Sequence, residues 1–150
     1  MDGILSFFKN FDIAGMLPDL GNFLGDLEGI VRLVLLAGPV VILVLGLWYY
    51  FAPPGEANHS AGFRTYWTMG SVEAWRYAQK LAGTFYMVLG GVMLVAFGLI
   101  SIGFNGEDGL KMATTTLICV VVELVLVLAA WITVNAMVFK AFDKDGNRRR

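Results

Sequence analysis

The sequence is poor in the residues that soluble catalysis and metal binding draw on. It holds one cysteine, Cys119, so no intramolecular disulfide can form. Because Cys119 lies inside an apolar run, it carries no information on redox compartment. There is one histidine, His59, which excludes a His-rich metal site and reads as a solvated loop residue. Charged residues make up 15% of the chain, against ~25% in ordinary soluble domains. With a net charge of −1 and no basic stripe to track phosphates, nucleic acid is excluded as a partner. No Ser/His/Asp set, metal-ligand cluster or phosphate-cradling glycine loop is present, so the chain reads as a non-enzyme without a cofactor. Asp143-Lys144-Asp145-Gly146-Asn147 lacks the twelve-residue pattern of a calcium loop.

What the sequence does have is apolar residue, 57% of it, gathered into long runs separated by short charged segments. A soluble fold spreads its charge over all the surface it must wet; segregated charge belongs to a bilayer. A helix needs ~20 apolar residues to cross a hydrocarbon core about 30 Å thick. Three runs suffice, giving spans at about 30–52, 81–104 and 113–139, the last interrupted only by Glu123. The expected fold is an all-α integral membrane protein. The first run starts too late, runs too long and follows too acidic a segment for a secretory leader.

Basic residues set the expected orientation. Lys9, Arg32 and Lys111 flank one side, whereas Arg64, Arg76, Lys80, Lys140, Lys144 and Arg148 to Arg150 flank the other. Eight against three places the first loop and the C-terminus in the cytoplasm and the N-terminus outside. Trp48, Tyr49 and Tyr50 close the first span on that same inner side, as an aromatic belt does.

Residues 1–29 read as an amphipathic arm and residues 30–150 as the membrane domain. Ile4, Phe7, Phe8 and Phe11, then Ile13, Met16, Leu17, Leu20, Leu24 and Leu27, recur at helical spacing opposite Asp12, Asp19 and Asp26. Gly15 and Pro18 divide the arm in two. It either lies in the outer interface or packs against another helix, in this chain or a second copy. Gly21, Gly25 and Gly29, four residues apart, give the second reading a bare helix face for close approach.

Pro53-Pro54 stops the first span. Gly62 then suits a backbone angle other residues avoid, and Ser71 can cap a helix whose early Glu73 suits the positive end of the dipole. From Val72 on, Trp75, Ala78, Gln79 and Ala82 share one side and Glu73, Arg76 and Lys80 another, so a cytosolic interfacial helix is expected before the second span. Asn58, then Gly62-Phe63-Arg64-Thr65, then Glu73-Ala74-Trp75 give a polar signature at fixed spacing. By these residues the chain resembles the SdpI/YhfL family of small bacterial integral membrane proteins over roughly 35–142. The resemblance makes Asn58, Gly62, Arg64, Thr65, Glu73 and Trp75 candidate ligand- or partner-binding residues. Arg64 has two readings: a planar fork gripping a carboxylate, a lipid phosphate or a partner, or a structural donor to helix-end carbonyls or to Glu73. Tyr66 and Trp67 read as interface anchors.

Glu123 falls near mid-membrane and lies outside the family pattern. An acidic side chain there costs ~2.5–3.5 kcal/mol on insertion scales, so it should face other helices or a cavity. Three readings compete: a neutral hydrogen-bonding group, a site for a proton, cation or cationic peptide, or a residue tolerated at an oligomer seam. Thr116, Cys119, Ala130 and Val134 share its helix face. Arg32, four residues after Glu28, can pair with it. Gly83, Gly90, Gly91 and Gly98 mark the packing face of the second span.

The resemblance implies a plasma-membrane binding protein without catalysis. Its expected role is immunity against a secreted toxic peptide, membrane signalling through a protein partner, or both. The competing reading is a homo-oligomeric channel or small transporter, with Glu123 at the subunit contacts, or an accessory subunit of a larger membrane complex.

Overall fold

The structure, a computed structural model, describes residues 20–55, 57 and 61–149. Three helices account for most of them: α1 (Leu20–Phe51), α2 (Val72–Ile102) and α3 (Gly109–Ala141). Each contains a stretch long and apolar enough to cross a membrane, over Leu27–Phe51, Val72–Ile102 and Gly109–Ala141. Among the described residues there are no strands, only an isolated bridge between Phe142 and Arg148.

Two boundaries differ from those read in the sequence. Helix α1 is continuous across positions 29 and 30, so the residues from Leu20 on belong to the same helix as the span, which begins at Leu27. The break expected at Gly15 and Pro18, and the amphipathic stripe before Leu20, lie outside the described residues. Helix α2 is likewise unbroken, and the residues expected to form a separate interfacial helix are its first turns. The physical reason is local: nothing between Val72 and Leu81 removes a backbone donor or demands a non-helical angle.

The helix ends follow from sequence. Helix α1 stops as Pro53 and Pro54 approach, because the residue before a proline avoids the helical region. Ser71, in extended conformation, caps α2 by accepting from the Ala74 N–H at 3.1 Å, with Glu73 in the first turn. At the other end of the bundle Arg32 donates to Glu28 Oε1 at 2.6 Å, Asn105 Oδ1 at 2.7 Å and Ser101 Oγ at 3.2 Å. The Arg32–Glu28 pair therefore also ties α1 to the end of α2.

Helix α1 packs most extensively on α2, antiparallel to it. Backbone meets backbone along this seam. A side chain on Gly83 would lie 2.6 Å from Tyr50 N, one on Gly90 2.5 Å from Leu43 N, and one on Gly46 would strike the Met87 backbone. In lipid, where no hydrophobic force drives helices together, such small residues give the van der Waals contact that holds them. Gly29, Gly91 and Gly98 have open space where a Cβ would stand and line no close contact among the described residues. Gly21 and Gly25 lie in α1, with their surroundings outside what is described.

The buried side chains form two clusters. One gathers Phe63, Ala74, Ala78, Ala82, Tyr86, Ala130, Val134, Val138 and Phe142 at the loop end of the bundle. The other, at the opposite end, joins Val31, Leu35, Phe97, Phe104, Met112 and Cys119. Between them, in sequence along α3, stands Glu123.

Candidate functional site

The loop between α1 and α2 folds back over the first turns of α2. Gly62 takes φ +113°, a left-handed conformation that side chains disfavour, and a Cβ there would lie 2.7 Å from the Trp75 ring. Two reasons thus demand glycine at this position. The next residue, Phe63, is gripped at its backbone by the fully buried Gln79. Gln79 Oε1 accepts from the Phe63 N–H at 2.8 Å, and its Nε2 donates to the Phe63 carbonyl at 2.9 Å. This reproduces a strand pair with a side chain and satisfies both groups in a buried setting. The fully buried Trp75 donates its indole N–H to the Pro54 carbonyl at 2.7 Å, pinning the other end of the loop.

A tight turn follows. The buried Thr68 hydroxyl accepts from the Thr65 N–H at 2.8 Å and reaches the Thr65 carbonyl at 3.0 Å. The C-terminal turn docks on the same end: Ser71 Oγ donates to the Gly146 carbonyl at 2.7 Å. Gly146, at φ +77°, lies close against Gly70.

Arg64 emerges from this scaffold as an exposed side chain and borders two cavities. One, of about 260 Å³, lies among Tyr49 of α1, Tyr86 of α2, Trp131 of α3 and the Gly62–Arg64 segment. Its lining thus combines the guanidinium-bearing Arg64 with side chains that carry phenol and indole donors. The other, of about 640 Å³, is lined by Arg64, Thr65, Tyr66, Met69, Gly70 and Lys144. Thr65 Oγ1 is buried there without a hydrogen-bond partner. Tyr66 and Trp67 stack edge to face at 5.2 Å, and Trp67 packs on Phe139 of α3 at 4.8 Å. Arg149 covers the same Phe139 ring at 4.8 Å.

Of the residues singled out in the loop, Gly62, Arg64, Thr65 and Trp75 are thus brought together. Glu73 stands exposed on the first turn of α2. Asn58 and His59 lie outside the described residues. Gln79 was legible only as one member of an apolar face, although a lone amide among Trp75, Ala78 and Ala82 was a signal. Tyr49, Tyr86 and Trp131 carried none, since only the fold brings three helices to one cavity.

Glu123 is 7% exposed and inserts against α1 at Gly38, where its carboxyl occupies the volume a Cβ would fill. Gly38 precedes Pro39, a fully buried proline inside α1. Proline has no N–H, so the Leu35 carbonyl one turn earlier lacks its helical donor. Thr116, on the same face of α3, is also buried, with Oγ1 unpartnered. Among the described residues no three His, Cys, Asp or Glu side chains gather.

Three helices, each long and apolar enough to cross a bilayer, fit a small multi-pass membrane protein. The model of the SdpI/YfhL protein family matches residues 56–135, more than half the chain, and the chain belongs to that family. No curated protein and no solved structure matches it.

Proposed function

We propose that the chain is a non-catalytic binding protein of the bacterial plasma membrane, of the immunity type, whose partner-binding surface is the cavity bordered by Arg64. The observation that carries this reading is the convergence of Arg64 with Tyr49, Tyr86 and Trp131 on one space of about 260 Å³. Donors from a loop and three helices suit the carboxylate or carbonyl groups of a peptide. Gln79 and Trp75 hold the loop in place beforehand, which lowers the ordering cost of binding.

With the loop on the cytoplasmic side, a secreted toxic peptide reaches this cavity after inserting into the bilayer, and a signalling partner reaches it from the cytoplasm. Neither cavity beside Arg64 is lined by Glu123. That favours the binding protein over the homo-oligomeric channel or transporter.

The test uses cells expressing the full chain, challenged with a panel of secreted membrane-active peptides. Arg64→Ala should remove protection while the protein still inserts at wild-type abundance, and Arg64→Lys should restore it only in part, because an ammonium lacks the planar fork. Lost abundance without lost protection per molecule would reduce Arg64 to a structural role.

A further inference from the structure

The larger cavity has a charge arrangement that the peptide reading does not use. Arg64 comes from the first loop and Lys144 from the turn after α3, eighty positions apart in sequence, yet both line one space of about 640 Å³. Lys144 is brought there by the fold, since its backbone carbonyl lies near Gly70 and its turn is tied down by the Ser71–Gly146 hydrogen bond. Neither ion pair found among the described residues, Arg32–Glu28 or Lys111–Glu107, involves Lys144. Two acids flank Lys144 in sequence. Asp143 is turned to other work, its Oδ1 accepting from the backbone N–H groups of Asp145 at 3.0 Å and Asn147 at 2.8 Å, while Asp145 is exposed and takes part in neither ion pair. The cavity wall adds a buried, unpartnered hydroxyl, Thr65 Oγ1.

Position selects the ligand. The cavity opens where α3 leaves its apolar span, beside Tyr66, which is 74% exposed, and next to the Trp67–Phe139 pair. Exposed aromatic rings at a helix end are the mark of the headgroup level of a bilayer. Two cations at that level, from separate segments and with room between them, match the phosphate of a lipid.

We propose that Arg64 and Lys144 form a site for the headgroup phosphate of an anionic phospholipid, joining the loop to the C-terminal turn. The site shares Arg64 with the peptide cavity and differs from it by Lys144, which does not line that cavity.

Full-length protein, purified from mixed micelles of phosphatidylglycerol and phosphatidylcholine, is read by native mass spectrometry for retained lipid. The wild type should keep one phosphatidylglycerol in preference to phosphatidylcholine. A basic residue near an anionic surface is worth about 1 kcal/mol, so Lys144→Gln should lower that retention about five-fold, and adding Arg64→Gln should lower it further. Lys111→Gln, at the far end of the bundle, should leave it unchanged.

Equal retention of both lipids by the wild type overturns the proposal without needing any variant. Undiminished retention in Lys144→Gln overturns it too, as does displacement of the lipid by inorganic phosphate at millimolar concentration, which would make the site one for free phosphate. Loss of lipid in Lys144→Gln with peptide protection intact separates this site from the peptide cavity.

Discussion

Glu123 of α3 fills the space that a side chain at Gly38 of α1 would occupy. The two positions lie 85 apart in sequence, and the contact sits between the two apolar clusters of the bundle. A carboxyl at that depth is accommodated because the facing helix offers no Cβ.

Gly38→Ala should therefore destabilise the bundle, although alanine is the better helix former by ~1 kcal/mol. Overpacking of this kind costs about 1–3 kcal/mol, and here the obstacle is the Glu123 carboxyl itself. Combining Gly38→Ala with Glu123→Ala should recover part of the loss, which thermal unfolding in detergent would show as non-additivity. Equal stability of wild type and Gly38→Ala would refute the contact.

Glu123→Gln keeps shape and polarity and removes the ability to ionise. A binding protein that uses Glu123 for packing should tolerate it, with unchanged unfolding temperature. Wild-type protein in liposomes should show no ion flux above empty vesicles. A flux abolished by Glu123→Gln would transfer the function to a channel.

Gln79→Leu removes both hydrogen bonds to the Phe63 backbone while keeping the apolar bulk. Each buried group left unsatisfied costs about 1–3 kcal/mol, although Thr68 Oγ1 remains near the Phe63 carbonyl at 3.3 Å. The loop should open before the helices separate, so trypsin should cut after Arg64 several-fold faster with the helical circular dichroism unchanged. Wild-type cleavage rates in Gln79→Leu would show that the loop is held by other means.

Orientation is tested with single cysteines in a Cys119→Ala background. Ala57 is exposed in the first loop. Asp108 precedes α3 without a side-chain cap bond, so its replacement disturbs little. An impermeant maleimide should label Asp108→Cys from outside and Ala57→Cys only after the membrane is opened. The reverse pattern would invert the topology.

Asp143 lies outside the spans, and the Asn147 backbone N–H holds its carboxyl below the ordinary carboxylate range, with help from the Asn147 side chain and the Asp145 N–H. A depressed folded-state value means the turn gains stability above the unfolded value, near 3.9, and loses it as pH falls through the folded value. NMR titration should give Asp143 a midpoint lower than a peptide of residues 141–149, and the Asn147 amide resonance should move with it. A midpoint equal to the peptide's would remove the turn's pH dependence.

The three spans were legible in the sequence because a bilayer imposes a simple requirement: an uninterrupted apolar run long enough to cross it, with every backbone group bonded within the helix. Pro53-Pro54 and Ser71 were legible for the same kind of reason, since a missing donor and a capping hydroxyl act within a few residues. The signature Gly62-Phe63-Arg64-Thr65 with Trp75 pointed to the loop, but not to what fastens it. That was decided by tertiary structure: Gln79 reaching the Phe63 backbone, Gly38 making room for Glu123, and Lys144 arriving beside Arg64 are encounters between residues that no helical or turn period relates. The composition of a lipid-facing helix constrains them weakly, because apolar side chains suit lipid and neighbouring helices alike. Which glycine is a contact and which is bare, Gly90 against Gly91, depends on the rotation of one helix against another, and only the packed bundle sets that angle.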